Sequence, residues 1–244
     1  MSMIKIALCD DNEVERRLLR KIVTAVLQEL HQEVLIVEFS SGEKLQRNFS
    51  RGDYDLIFLD VFMKEMDGIA TGRAIRKKDV KVEIILATGS DQYLREGYEL
   101  HAFAYLMKPY DVMQVRATIC DYFSKNQVST HDEDMEFLRF SVQQKKFCIK
   151  QREISVIESE GRVVYIYHGD EKYRAYQRLN TIEQKLNMKY FLRCNQSYII
   201  NVEQVDGVID YDFHMKNGMV IPIRKRDKKD IVQKYYQKKS ELND

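Results

Sequence analysis

Two spacings alternate along the first half of the chain. Short apolar runs at 4–9, 34–39, 54–60, 82–88 and 102–108 have the length of strands, and their near-continuous hydrophobicity predicts burial on both faces. Between them, apolar residues recur at three and four. Val14, Leu18, Leu19, Ile22, Val23, Val26 and Leu30 mark a helix that Asn12 can cap. Ser41 can cap a short helix ending near Gly52, and Gly68 opens another through Ala74 and Ile75. Two more helices are expected from about Asp91 to Leu100 and from about Asp111 to Phe123. Five strands and five helices in alternation, joined by short connections, predict an α/β doubly wound, five-stranded parallel sheet.

After Phe123 the chain becomes polar and acidic, and the stretch to Glu136 reads as a linker. Beyond it the runs are short, β-branched and aromatic. They are punctuated by Glu160-Gly161, His168-Gly169 and Asn217-Gly218, and Asn-Gly between two such runs is a strong hairpin signal. A short helix near Leu179–Leu186 and a terminal basic helix from about Asp227 to Lys239 interrupt the strands. The expected division is a domain at 1–124, a linker at 125–136 and a mostly β domain at 137–244.

Charge sharpens this division. Residues 1–136 hold 18 Lys and Arg against 24 Asp and Glu, a balance of −6, and residues 137–244 hold 21 against 14, a balance of +7. A net charge of +1 therefore conceals an acidic front and a basic back, and the back is suited to a polyanion. The four cysteines lie far apart without a Cys-x-x-Cys pair, which favours reduced thiols over a disulfide framework or structural zinc. For Cys194 a partly buried inert thiol is the favoured reading over a redox role. Lys5 interrupts the N-terminus early and no apolar run has membrane length, so a cytoplasmic protein without membrane contact is expected.

The first half carries the clearest chemistry. Its strands stop on Asp10-Asp11, Asp60, Thr88 and Lys108, and ligands of open α/β sheets bind at the carboxyl ends of the strands. Three carboxylates form a hard oxygen site for Mg²⁺ (or Mn²⁺), while a lysine and a hydroxyl can hold the remaining oxygens of a phosphoryl group. Asp60, at the end of the central strand, is the natural nucleophile, because aspartyl phosphate is an established covalent intermediate. A single such Asp would read as a solvated turn. A phosphatase of the haloacid-dehalogenase type would need a second acid two residues after the nucleophile, where this chain has Phe62.

Asp10-Asp11, "LIFLDVFMKEMDG" with Asp60, Thr88 after an apolar strand, and "YLMKP" with Lys108-Pro109 stand in the order of a receiver domain. Residues 3–124 thus resemble the receivers of two-component response regulators, a flavodoxin-like fold. The resemblance implies that Asp60 accepts a phosphoryl group from the phosphohistidine of a sensor histidine kinase. It implies Mg²⁺ held by Asp11, Asp60 and the Phe62 carbonyl, with Asp10 acting through water. Thr88 and Lys108 would contact the phosphoryl group, and Tyr105 would swing inward as Thr88 moves; an ordinary packed strand aromatic is the competing reading of Tyr105. Met63-Lys64 departs from the family's common Met-Pro.

In the second half, Phe191, Arg193, Ser197, Tyr198 and Asn201, followed by Ile221-Pro222-Ile223 and Arg224-Lys225-Arg226, resemble the LytTR family of DNA-binding domains. This resemblance covers about 137–240. It implies a ten-stranded β fold whose loops at 161–164, 194–197 and 224–226 enter double-stranded DNA, with Arg162, Asn195, Gln196, Arg224, Lys225 and Arg226 as the contacts. The competing reading of Asn195 and Gln196 is a turn whose side chains bond their own backbone. Lys234, Lys238 and Lys239 read as a solvated helix face. The expected whole is a transcription regulator that forms a homodimer when phosphorylated and has no enzymatic output beyond its own phosphorylation and dephosphorylation. The alternative is a receiver-controlled protein- or RNA-interaction module without sequence-specific DNA binding.

Overall fold

The computed structural model describes residues 3–90, 94–126, 136–142 and 145–242, without the side chains of 94–96 and 225. Most of the expected linker and the start of the helix expected from Asp91 therefore lie outside the described residues. The chain divides into two compact units, Met1–Ile119 and Cys120–Asp244.

In the first unit β1 (Ile4–Cys9), β2 (Val34–Phe39), β3 (Leu56–Asp60), β4 (Glu83–Thr88) and β5 (Ala104–Met107) alternate with α1 (Glu13–Glu29), α2 (Gly42–Asn48), α3 (Gly68–Lys78), α4 (Leu94–Glu99) and α5 (Val112–Lys125), the last of which runs across the division at Ile119. The strands form one parallel sheet in the order β2-β1-β3-β4-β5. That is the flavodoxin-like order, whose crevice opens beside β1 and β3. Both faces are buried. Ala7, Cys9, Ile57, Leu59, Ile84 and Leu86 share a core with Leu45, Ile69 and Ile75 of α2 and α3. The residues of opposite parity, Ile6, Leu8, Leu56, Phe58 and Ile85, are also inside. Local chemistry sets the helix starts: Asn12 Oδ1 accepts from Val14 N at 3.0 Å, and Ser41 Oγ accepts from Lys44 N at 3.3 Å.

In the second unit ten strands are present among the described residues. They are β6 (Phe137–Val142), β7 (Lys145–Lys150), β8 (Ile154–Glu160), β9 (Val163–His168), β10 (Glu171–Ala175), β11 (Phe191–Arg193), β12 (Tyr198–Asn201), β13 (Val205–Ile209), β14 (Asp212–Met215) and β15 (Val220–Pro222). They form sheets in the orders β10-β9-β8-β12-β11, β13-β14-β15 and β6-β7. Helix α6 (Leu179–Glu183) is shorter than its sequence pattern predicts, and α7 (Lys228–Glu241) closes the unit. Ile231 and Tyr235, one turn apart on α7, pack with Phe213, Met215 and Ile221 of the three-stranded sheet and with Val156, Leu192 and Ile200 of the five-stranded one. The Phe213 and Tyr235 rings meet edge-on at 5.3 Å.

Asn201, fully buried, ties this core to its edge. Its Nδ2 donates to Ile154 O (2.9 Å) and Arg152 O (3.1 Å), and its Oδ1 accepts from Glu203 N (2.9 Å). Asn201→Ala strips these partners from buried backbone groups, so it should destabilise the second unit by about 2–4 kcal/mol. Chemical denaturation followed by circular dichroism measures the loss.

Candidate functional site

The pocket follows from the parallel register. Cys9 pairs with Leu59, Asp60 with Ala87, and Thr88 with Met107, so the strands stop together and present Asp10, Asp60, Thr88 and Lys108 at one edge. Two further backbone bonds, Val61 N to Ala87 O (2.9 Å) and Lys108 N to Thr88 O (2.8 Å), carry the pairing past the strand ends. Helix α3 approaches very closely behind Asp60. A Cβ on Gly68 would lie 2.1 Å from the Asp60 carbonyl oxygen, so only glycine fits there.

Carboxylate oxygens of Asp10, Asp11 and Asp60 lie within 4.8 Å of one another. Lys108 Nζ sits 2.8 Å from Asp10 Oδ2 and 3.1 Å from Asp60 Oδ1. Backbone donors fix each acid: Asn12 N reaches Asp10 Oδ1 (2.8 Å), Lys64 N reaches Asp11 Oδ2 (3.1 Å), and Phe62 N reaches Asp60 Oδ1 (3.3 Å). Burial and the charge of Asp10 push the Asp60 carboxyl up to about 6, against the opposing pull of Lys108. Burial works to lower the Lys108 ammonium, but its hydrogen bond to Asp10 and the Asp60 charge outweigh it, and the net shift is upward. Hard oxygens at this spacing suit a magnesium-sized cation, and Asp11, half exposed, leaves the cluster open on one side.

Thr88 and Tyr105 stand apart from that cluster. The Thr88 hydroxyl donates to Ser90 O (2.9 Å) and accepts from Ser90 N (3.1 Å), which folds it into its own loop. The half-buried Tyr105 points inward beneath α4, its hydroxyl 1.5 Å from where a Cβ on Gly97 would stand. Tyr110 carries no signal in the sequence, yet it walls the pocket. Its buried hydroxyl has no hydrogen-bond partner among the described residues, and its ring lies 5.9 Å from Lys108 Nζ.

The three loops expected to meet DNA gather at one end of the five-stranded sheet. Tyr198 pairs with Glu158, and Ser159 N donates to Ser197 O at 2.7 Å, so the 194–197 loop adjoins the Gly161–Arg162 turn. Arg224 N donates to Cys194 O at 3.1 Å, which brings in 224–226. A cleft of about 500 Å³ between them is lined by Asn195, Gln196, Arg224 and Lys234.

Asn195 is held by the protein itself. Its Nδ2 donates to Pro222 O (2.6 Å) and its Oδ1 accepts from Ser197 N (2.7 Å) and Tyr198 N (2.9 Å). Arg193 clamps the same loop through Asn195 O and Gln196 O, both at 3.2 Å, and is itself held by Glu183. Gln196, Arg162 and Arg226 are exposed, and Arg224 lies 3.4 Å from Asp227. The Lys225 side chain lies outside the described residues. Cys194 is fully buried, and burial pushes its thiol up to about 12, so it is an inert core group. Glu158, whose partners the sequence did not reveal, accepts from both the Tyr167 and Tyr198 hydroxyls at 2.6 Å.

A buried acidic pocket on a flavodoxin-like sheet, followed by a basic β unit with converging loops, defines a phosphoacceptor module joined to a nucleic-acid reader. The response regulator receiver domain matches residues 6–120 and the LytTr DNA-binding domain matches residues 144–235. The transcriptional regulatory protein LytR of Staphylococcus aureus (strain N315) is 31% identical over 193 residues, covering 73% of this chain and 78% of that protein. The transcriptional regulatory protein NatR of Bacillus subtilis (strain 168) is 29% identical over 215 residues, covering 87% and 88%. The receiver domain of AraT, a response regulator from Geobacillus stearothermophilus, is 26% identical with a TM-score of 0.45, covering 52% of this chain and 98% of that one. The chain belongs to the DNA-binding response regulators that join a receiver domain to a LytTR domain.

Because the folded-state value of Asp60 lies above the ordinary 3.8, ionising it costs the metal-free fold nothing below about pH 4 and the full amount above about pH 6. In chelator, Asp60→Asn should therefore be more stable than the native chain at pH 8 by on the order of 2 kcal/mol. The difference should shrink to nothing as the pH falls to about 4, as measured by paired urea titrations.

Proposed function

We propose that this chain is a cytoplasmic transcription regulator whose Asp60 takes a phosphoryl group from a sensor histidine kinase and whose second unit binds duplex DNA. The reading of the first unit rests on one observation: Lys108 Nζ lies between Asp10 and Asp60, with Asp11 completing the carboxylate cluster. In the reaction an Asp60 carboxylate oxygen attacks phosphorus. The phosphorus–nitrogen bond of the donor's phosphohistidine breaks, its electron pair stays on the imidazole nitrogen, and that nitrogen takes up a proton.

Asp11, Asp60 and the Phe62 carbonyl would hold Mg²⁺, with Asp10 acting through water. When bound, the cation neutralises the oxygens of the phosphoryl group. Lys108 balances the remaining charge, and Thr88 would leave its Ser90 contacts to donate its hydroxyl. The output is DNA binding rather than a second chemistry. No helix among the described residues is long and apolar enough to cross a membrane.

Helix α5 runs without a break to Lys125, so we place the functional boundary there, with 125–136 as linker and 137–244 as reader. Gln196, Arg224, Lys225, Arg226 and Arg162 make the contacts to DNA, and Asn195 shapes the loop. Phosphorylation would favour a homodimer.

Acetyl phosphate with Mg²⁺ should add one phosphoryl group to the intact protein and none to Asp60→Asn; a variant that gains it as the native chain does would remove Asp60 from the role. Duplexes selected by the phosphorylated chain should lose about 1–3 kcal/mol of binding on Arg226→Ala, with a salt slope shallower by about one.

A further inference from the structure

The same sheet end carries a fourth loop, which follows β10 and includes Tyr176, Gln177 and Arg178. We propose that Arg174, Tyr176 and Arg178 form an additional binding site for the phosphate backbone of duplex DNA, extending the footprint beyond the three loops already described. The proposal rests on the DNA-binding reading given above.

Register fixes the position. Strand β10 runs antiparallel to β9, with Arg174 opposite Tyr165 and Ala175 opposite Val164. Val163 begins β9 directly after the Gly161–Arg162 turn, so β10 ends beside that turn. Tyr165 pairs in turn with Glu158, and Glu158 with Tyr198. Residues directly opposite in antiparallel strands share a face. One row therefore runs across the sheet from Arg174 through Tyr165 and Glu158 to Tyr198, beside the 194–197 loop. The hydrogen bond from Tyr198 to Glu158 and the seating of Lys172 Nζ 4.0 Å over the Tyr165 ring follow this face.

The chemistry is that of a phosphate contact. Arg174, Tyr176 and Arg178 are all exposed, Tyr176 at 65%. Neither arginine has an ion-pair partner among the described residues, unlike Arg152 and Arg193, which are tied to Glu203 and Glu183. The Arg174 guanidinium lies 4.8 Å over the Tyr176 ring, which orders it without using up its N–H donors. Arg178 precedes α6, and its side chain makes no capping bond there. Asp170 and Glu171 lie at the far end of β10, while Glu160 is the acid that leads into the Arg162 turn. Two unpaired guanidiniums and a phenol at the rim of a DNA-facing edge match the phosphates flanking the bases that Gln196 and Arg226 would read.

The test uses the full chain with two probes, a duplex selected by the native protein and a mixed-sequence duplex, each titrated across a salt series. Arg174→Gln/Arg178→Gln, with unchanged thermal melting, should bind about ten- to a hundredfold more weakly near 0.1 M salt, and the slope of log affinity against log salt should be shallower by about two. Both probes should weaken in equal proportion, because phosphate contacts carry no sequence information. Tyr176→Ala should give a smaller loss in the same sense. An unchanged slope in the double variant, where Arg226→Ala flattens it, overturns the fourth loop and leaves DNA binding standing. A native chain that binds neither duplex overturns both.

Discussion

Asp10 and Asp60 lie almost entirely out of water, and two carboxylates so placed repel one another; Lys108 Nζ, within 3.1 Å of both, is what allows them to share the pocket. The demand on the fold is severe. Strand β5 is separated from β3 by β4, about 10 Å between axes, so the bridging side chain must be long and its strand must stop level with the others. The residue at the end of the intervening strand must also leave room, and Thr88 followed by Gly89 does so. Order, register and strand length in the first unit together bring one ammonium to two acids.

This arrangement was legible because strand-end chemistry survives errors in element boundaries. Asp10, Asp60, Thr88 and Lys108 each close an apolar run, and the alternation of runs and helices determines that all of them face one edge. What stayed hidden depended on partners distant in sequence. Nothing local says that Asn195 spends its amide on Pro222, 27 residues away, or that Glu158 gathers two tyrosine hydroxyls. The hairpin between β13 and β14 was also silent. Its turn residues, Asp210 and Tyr211, both take positive φ, at 50° and 66°, without the glycine that usually signals such a turn. Tyr110 escaped notice because an aromatic after a proline reads as ordinary core.

Net charge proves a coarse guide to the second unit. Arg152 and Arg193 contribute to the surplus of +7 carried by residues 137–244, yet both are consumed internally, Arg152 by Glu203 and the ring of Tyr190, Arg193 by Glu183 and two loop carbonyls. Lys238 and Lys239 donate to Met188 O and the Tyr235 hydroxyl, so the helix face that reads as merely solvated is partly structural. Arg162, Arg174, Arg178 and Arg226, exposed and without an ion-pair partner among the described residues, stand at one sheet end, where Asn195 holds the 194–197 loop through uncharged bonds. That separation has a physical use. Loops braced by amides and carbonyls keep their form when counterions are displaced, whereas loops braced by exposed ion pairs would loosen in the same salt that governs binding.

Strand β5 carries two groups of opposite outlook. Lys108 points to the acids and Tyr105, three residues earlier, is lodged beneath α4 against Gly97. Thr88 joins them, because its carbonyl accepts from Lys108 N while its hydroxyl faces Ser90, on the loop that leads toward α4. A change of charge at Asp60 is therefore felt first by an ammonium whose backbone is bonded to Thr88. Any rearrangement of Thr88 would disturb its two bonds to Ser90. The Tyr105 slot is tight: with the hydroxyl seated where a methyl group on Gly97 would be, α4 and the Tyr105 ring cannot move independently, and a helix displaced from its place must take the ring with it or leave a void under Leu86. Close packing thus ties the position of α4 to that of the Tyr105 ring.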